Sequence, residues 1–219
     1  DEAPLSKYTE KYRIALAVTG QDAAPSWNVK GAQASFYTLR AAVEKLLRRF
    51  GIDIYSLRSE SLDSDLYADA IALMQGNKCM AEMGVVSPAL MRKFDLKQPV
   101  YFAEIDFELI VRSAKKQRIA VEELSKFPEV KRDLALLVDK SVTFSELRQI
   151  AFATEKKLLK RVTLFDVYEG DKLPEGKKSY ALGFTLEDKT QTLNDKVIEK
   201  TMNNLQRQLE AKAGAQVRS

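Results

Sequence analysis

The sequence contains no histidine among its 219 residues. That absence removes Ser-His and Cys-His nucleophilic catalysis, histidine proton shuttles and histidine metal ligands together. A single cysteine, Cys79, leaves no internal disulfide and points to a reducing compartment. No apolar run approaches the roughly 18 residues of a membrane-spanning helix. Residues 1–11 are polar and lack the apolar stretch of a signal peptide. What is present fits a soluble globular chain, with 45% hydrophobic and 30% charged residues. The length allows one large domain or two small ones. The net charge is +4 and the pI near 9.0. Residues 1–126 carry 18 Lys and Arg against 17 Asp and Glu, and residues 127–219 carry 17 against 14. So slight an excess permits an anionic partner without demanding one.

The first half mixes both periodicities. Tyr12, Ile14, Leu16 and Val18 alternate, which predicts a strand. Phe36, Leu39, Val43, Leu46, Leu47 and Phe50 recur at helical spacing, and Gly51 follows as a stop, so a helix is predicted over 33–50. A strand is expected over 52–58. Segments 68–74 and 78–86 flank Gln75-Gly76-Asn77, a hairpin signature, and Pro88 opens a short helix over 88–94. Tyr101, Ala103, Ile105 and Phe107 alternate and continue through Leu109 and Val111, which predicts one long strand over 99–112. Residues 113–126 are charged and without a clean period. They read as a linker between a domain at 1–112 and a second at 127–219.

The second half is plainer. Residues 132–139 read as a buried strand. Thr143 with Glu146 three residues on is a capping-box pattern, opening a helix to about residue 159. Strands are predicted over 161–169 and 178–187, separated by a loop with Pro174 and Gly176. Asn194 caps a last helix whose stripe is Ile198, Met202, Leu205 and Leu209. Gly214 ends it, and 215–218 form an edge strand. The order βαββαβ is the split-βαβ, ferredoxin-like plan, and the fold class is α+β.

That plan puts both helices on one sheet face and leaves the other open. In the third strand Tyr180, Leu182, Phe184 and Leu186 form the covered set, and Ser179, Ala181, Gly183 and Thr185 the open one. In the second strand Phe165 and Val167 are expected inward, and Asp166 and Tyr168 outward. A tyrosine beside a carboxylate on a low surface suits a splayed nucleotide base, which stacks on the ring and bonds to the acid. Lys177, Lys178 and Arg132 lie near enough in sequence to meet phosphates. The plain structural reading is a surface hydrogen bond between Asp166 and Tyr168. Lys156, Lys157, Lys160 and Arg161 likewise read as the basic end of a helix, favoured by its dipole.

Ordered blocks then carry a resemblance. Phe127-Pro128, Arg132-Asp133-Leu134-Ala135, Leu164-Phe165-Asp166-Val167-Tyr168 with Gly170, Leu173-Pro174-Glu175-Gly176-Lys177-Lys178-Ser179, and Thr192-Leu193 with Asp195 resemble the ferredoxin-fold anticodon-binding domain. That domain closes the β subunit of bacterial phenylalanine–tRNA synthetases. The chain departs from the family at Lys189 and Gln191, where an arginine is usual, and at Asn194, where threonine is commoner. Trp27, the run Tyr37 to Glu44, Leu46-Leu47, Gly84, Pro88, Phe94-Asp95-Leu96 and the strand around Glu104-Ile105-Asp106 are similar to the same subunit's catalytic-like domain.

The resemblance implies a partial, non-catalytic domain on the class II synthetase antiparallel sheet, followed by the anticodon-binding domain. It implies a candidate tRNA-contacting set of Arg132, Asp166, Tyr168, Lys177, Lys178 and Ser179. It implies a catalytic α subunit in an (αβ)₂ assembly and phenylalanine tRNA as partners, and a cytoplasmic setting without a membrane. ATP and Mg²⁺ would serve the intact enzyme and not this piece. The start at Asp1 without Met reads as an excised C-terminal fragment, inactive by itself. The residues agree on chemistry: Leu109-Ile110-Val111-Arg112 has no glycine-rich junction after it, and Arg112 reads as a surface residue. Asp63 and Asp65 are too few for a hard-cation loop. Glu104, Asp106 and Glu108 read as a solvated or subunit-facing stripe. Trp27 and Phe36 are interface candidates, with a core role the plainer reading. Two rivals remain: a ferredoxin-like module binding an amino acid, against which the glycine-free Asp139-Lys140-Ser141-Val142 counts, and a scaffold that never touches RNA.

Overall fold

Ile14, Leu16 and Val18 are half-buried while Arg13, Ala15, Ala17 and Thr19 between them are exposed, and the strand they predict, β1, runs Arg13–Thr19. The computed structural model describes residues 8–115 and 125–218 and divides into two units, Asp1–Ala120 and Val121–Ser219. Most of the expected linker lies outside the described residues.

In the first unit β1 is followed by β2 (Gln21–Ala23), β3 (Ala32–Gln33) and α1 (Phe36–Arg49). Then come β4 (Arg58–Ser61), β5 (Tyr67–Gln75), β6 (Lys78–Val86), α2 (Pro88–Lys93), β7 (Val100–Asp106) and α3 (Phe107–Ala114). Five strands form an antiparallel sheet in the order β1-β7-β6-β5-β4. α1 starts where Ser35 and Thr38 exchange bonds: Ser35 Oγ accepts from the Thr38 N–H at 3.3 Å and Thr38 Oγ1 from the Ser35 N–H at 3.2 Å. Its fully buried Leu39, Val43 and Leu47, at i, i+4 and i+8, join Met83, Ala103 and Ile105 of the sheet in one core. Gly84 leaves space for a neighbour on β5. A Cβ there would sit 2.6 Å from the Ala70 Cβ and 2.8 Å from Tyr67 Cδ1.

Three sequence expectations change in this unit. The strand expected over 52–58 is a 3₁₀ turn at Ile54–Ser56, because the Asp53 carboxylate accepts the Tyr55 N–H at 2.9 Å, and β4 begins only at Arg58. The long strand stops at Asp106, whose carboxylate accepts the Leu109 N–H at 2.8 Å and so caps α3. Phe107, Ile110, Val111 and Ala114 are also spaced for a helix, and that reading of the apolar residues wins. Glu108 therefore leaves the acidic stripe and meets Arg112 one turn on at 3.9 Å. Trp27 is 96% exposed and has no core role, whereas Phe36 packs against the core.

The second unit is β8 (Val130–Asp139), α4 (Phe144–Thr154), β9 (Leu159–Tyr168), β10 (Lys177–Leu186), α5 (Asp195–Ala213) and β11 (Gln216–Val217). Its antiparallel sheet has the order β11-β8-β10-β9, the arrangement the split-βαβ plan requires. Thr143 and Glu146 form the capping box of α4, with Glu146 Oε2 accepting the Thr143 N–H at 2.7 Å and hydroxyl at 3.0 Å. These bonds hold the Glu146 carboxyl below its ordinary pKa of 4.5. Asn194 caps α5 through the Val197 N–H at 2.9 Å, and Gly214, left-handed at φ +59°, ends it. Leu136, Val138, Leu147, Leu182, Phe184, Leu205 and Leu209 make the core.

α4 ends at Thr154, earlier than its apolar pattern suggested. Glu155 Oε1 accepts the N–H groups of Lys157 and Leu158 at 2.8 and 2.9 Å and turns the chain into β9. Lys156, Lys157, Lys160 and Arg161 therefore close no helix, and the last turn of α4 has no basic residue. Among the described residues no helix is long and apolar enough to cross a membrane.

Candidate nucleic-acid interface

Directly opposed residues of an antiparallel pair share a face, so the register of the second sheet sorts its side chains. Leu136 faces Tyr180 and Leu134 faces Leu182, under the helices. Ala135 faces Ala181, Leu137 faces Ser179 and Asp133 faces Gly183 on the open side. β9 continues these rows, with Tyr168 opposite Ser179, Asp166 opposite Ala181 and Thr163 opposite Gly183. Asp166, Tyr168 and Ser179 thus lie together on the open face, floored by Ala135 and Ala181. Lys177 is on the same face at its end, opposite Asp139 and bonded to it at 2.9 Å.

Lys178 and Arg132 fall on the other face. Lys178 lies opposite Val138, is only 8% exposed, and sets its ammonium 4.7 Å from the centroid of the Tyr180 ring. Arg132 lies opposite Phe184 and donates to the Lys131 carbonyl at 2.9 Å. Nearness in sequence grouped these two with the open-face residues, and the period of two separates them.

Strict alternation also fails inside β9. Asp166 pairs with Ala181 but Leu164, not Phe165, pairs with Leu182, so Phe165 is an extra residue. The bulge turns Phe165 out of the core position expected for it. It is 60% exposed, and its ring edge comes within 3.8 Å of where a Cβ on Gly183 would stand, on the open face. Val167 is 46% exposed near the end of the strand.

The Tyr168 ring has two further neighbours. Gly170 supplies space, since a Cβ there would lie 2.5 Å from the Tyr168 hydroxyl. Arg218 follows β11, where its N–H donates to the Ala135 carbonyl at 2.8 Å, and its guanidinium lies 5.9 Å from the centroid of the Tyr168 ring. The side chain crosses a floor that Ala135 and Ala181 keep low. Sequence reasoning passed over Arg218, gave Arg161 to the basic end of a helix and placed Phe165 inward. The parity of Arg161 next to the core residue Val162 was a usable signal, whereas the bulge left none.

Chemically, the face offers an aromatic plane, a carboxylate and a hydroxyl within one strand pair, and cations at its borders. That is the donor set with which a sheet reads unpaired bases. Residues 125–218 match the family model described as a ferredoxin-fold anticodon binding domain, which defines the class of this unit. Residues 2–107 match the model described as the phenylalanyl tRNA synthetase beta chain CLM domain.

Relatives extend the match over the whole chain. The phenylalanine–tRNA ligase beta subunit of Bacteroides thetaiotaomicron is 46% identical over 218 residues, covering 99% of this chain and 27% of that protein. The same subunit of Porphyromonas gingivalis is 44% identical over 219 residues, covering 100% and 27%. That of Geobacillus kaustophilus is 32% identical over 210 residues, covering 95% and 26%. The chain belongs to the phenylalanine–tRNA ligase β-subunit family and spans about a quarter of the length of these relatives.

Proposed function

We propose that this chain is the tRNA-holding C-terminal part of a phenylalanine–tRNA ligase β subunit. Its second unit takes the anticodon region of phenylalanine tRNA on the open sheet face. Tyr168 stacks on a base, and Asp166 and Ser179 bond to the base edge. Lys177 and Arg218 meet the backbone. The observation that carries this reading is the register-matched group of Asp166, Tyr168 and Ser179, inside a segment that matches an anticodon-binding family. The contribution to rate is positioning: a tRNA held at its far end presents its acceptor end to the reaction elsewhere.

The first unit supports the α subunit, which carries out ATP- and Mg²⁺-dependent attachment of phenylalanine in a cytoplasmic (αβ)₂ assembly. Arg13 lies between Glu104 at 3.5 Å and Asp106 at 3.8 Å, and Arg112 is paired to Glu108, so these guanidinium groups are engaged by carboxylates. No step of the reaction is assigned to this chain.

The test is titration of the chain with the anticodon stem–loop of phenylalanine tRNA at several salt concentrations. Binding that weakens as salt rises is expected, and Tyr168→Ala weakens it by about 1–3 kcal/mol in a variant that melts like the parent. A folded Tyr168→Ala variant that binds as tightly as the parent overturns the stacking role.

A further inference from the structure

Glu82 and Glu104 stand directly opposite each other on β6 and β7. Their strand neighbours Met83, Ala103 and Ile105 belong to the core, so the two carboxylates lie on the other face of the first unit's sheet. Like charges opposed in this way destabilise a strand pair. Arg13 does not resolve the conflict, because its guanidinium is shared between Glu104 at 3.5 Å and Asp106 at 3.8 Å. Glu82 has no ion pair among the described residues and accepts only from the Cys79 thiol, at 3.9 Å. Ala72 and Ala15 flank the two acids in the same cross-strand row and keep the surface low. A third polar group reaches the same place. Tyr67 is only 7% exposed, and its ring crosses Gly84, where a Cβ would lie 2.8 Å from Tyr67 Cδ1. Gly84 follows Glu82 on that face, and the Tyr67 hydroxyl is buried without a partner among the described residues. Burial raises the pKa of this hydroxyl most, and both carboxylates are close enough to raise it further.

We propose that Glu82, Glu104 and Tyr67 form a binding site for a primary ammonium group carried on a small apolar body. Two carboxylates and a phenol oxygen offer three acceptors, and an ammonium has three N–H donors. A cation between Glu82 and Glu104 turns their repulsion into two charge-assisted hydrogen bonds and gives the Tyr67 oxygen its missing partner. A guanidinium donates in a flat, fixed fork and suits converging acceptors less well. A quaternary ammonium has no N–H to give. Among the described residues no three thiol or carboxylate groups converge closely enough to hold a metal ion, which favours the ammonium. The side chain of Glu104 is 45% exposed, so the site opens to solvent beside it. Ala70, Gly84 and Phe102 form the adjoining cross-strand row and take the apolar body. The site is independent of the RNA-binding reading of the second unit.

The probe is propylamine, with propan-1-ol as its uncharged counterpart. Each is titrated into the full chain at neutral pH and followed by amide NMR shifts and thermal melting. Propylamine should give saturable shifts around Glu82 and Glu104 at about millimolar concentration, the range of so small a ligand, and propan-1-ol should not. Glu82→Gln and Glu104→Gln should each weaken propylamine roughly 10- to 150-fold, the loss of one hydrogen bond to a charged group. Tyr67→Phe should weaken it about 2- to 10-fold although the variant melts higher than the parent. Glu60→Gln removes a carboxylate of the same row that is paired to Arg58 at 3.1 Å, and it should bind like the parent. The site is overturned by the lack of a saturable shift up to about 100 mM propylamine, or by an equal response to propan-1-ol. Undiminished binding by Glu82→Gln or by Tyr67→Phe overturns it too. An equal loss in Glu60→Gln does the same, because the attraction is then only that of a negative surface. Both glutamate variants keep the core, since neither side chain enters it. Stem–loop binding by Glu82→Gln should match the parent, so failure of the RNA reading and failure of this site are told apart.

Discussion

The guanidinium of Arg218 lies 5.9 Å from the centroid of the Tyr168 ring, although the two residues belong to opposite edges of a four-stranded sheet. Two small residues between them, Ala135 and Ala181, make that reach possible. On the proposed reading, a base stacked on Tyr168 would meet a cation already in place, and a phosphate near it would meet the same cation. Arg218→Gln is therefore expected to weaken stem–loop binding alike for all loop sequences and to lower the salt slope by about 1. Folding stability should stay within about 0.5 kcal/mol, as for other surface changes. Salt titrations of parent and variant decide it, and an unchanged slope would assign the guanidinium to the ring alone.

Gly170 constrains the same ring at its hydroxyl end. A methyl group added there collides with the phenol, since its position is 2.5 Å from the hydroxyl and 2.7 Å from Cζ. Gly170→Ala should displace the Tyr168 ring and reduce RNA affinity, with little loss of stability because the ring is near the surface. Comparing the variant with Tyr168→Ala in a double-mutant cycle checks this. The two losses should not add, because both act through one ring.

Acid should loosen the second unit through two carboxylates. Glu146 accepts the backbone N–H and the hydroxyl of Thr143, and Asp188 accepts the hydroxyl and N–H of Thr190 at 2.7 and 2.9 Å. Both are held below their ordinary values of 4.5 and 3.8. A carboxylate depressed by folding stabilises fully above its unfolded pKa, and that contribution is lost as pH falls through the folded one. Stability should thus be flat near neutrality and decline below about pH 4.5. Glu146→Gln should cost a few tenths of a kcal/mol at pH 7, as for an exposed helix cap. The difference from the parent should shrink as the pH drops, which denaturant melts at pH 7 and pH 3 would reveal.

Tyr67 behaves in the opposite sense. Its hydroxyl is buried and, among the described residues, has no hydrogen-bond partner. Burial first, and the nearby Glu82 and Glu104 second, push its pKa from 10.0 up to about 12. The fold favours the neutral phenol, so its contribution is complete below pH 10 and is lost as the pH rises through about 12. Ultraviolet titration should show one tyrosine ionising after the rest, and Tyr67→Phe should remove that late step. The same variant should raise stability, because it deletes an unsatisfied buried donor whose cost is about 1–3 kcal/mol. A loss of stability would mean that the hydroxyl has a partner in solution.

The second unit was readable from its residues because one period holds along each element. Tyr180, Leu182, Phe184 and Leu186 alternate without interruption, and Thr143 and Asn194 announce the helices they cap. The first unit was harder where two periods compete over the same apolar residues. Between Phe107 and Val111 an alternating and a helical reading both fit, and one carboxylate at Asp106 decides between them. Of the proposed contacts, Asp166, Tyr168, Ser179 and Lys177 share a face because alternation carries them there. Lys178 and Arg132 were grouped with them by proximity along the chain, a criterion that ignores which way a strand residue points. Phe165 was illegible because an inserted residue changes the parity of everything beyond it, and only the pairing partner reveals the insertion.

The inserted residue in β9 also separates two evolutionary burdens. In a regular strand each outward residue is tied to the spacing of its inward neighbours, so reshaping a contact surface disturbs the packing beneath. Here Leu164 stays against Leu182 and Asp166 against Ala181, while Phe165 between them answers to neither partner. That position can change size, polarity or charge without passing the change to the core. The same strand has a second shift of this kind, between Arg161 and Leu159, so its surface is set apart from the packing beneath it at two places.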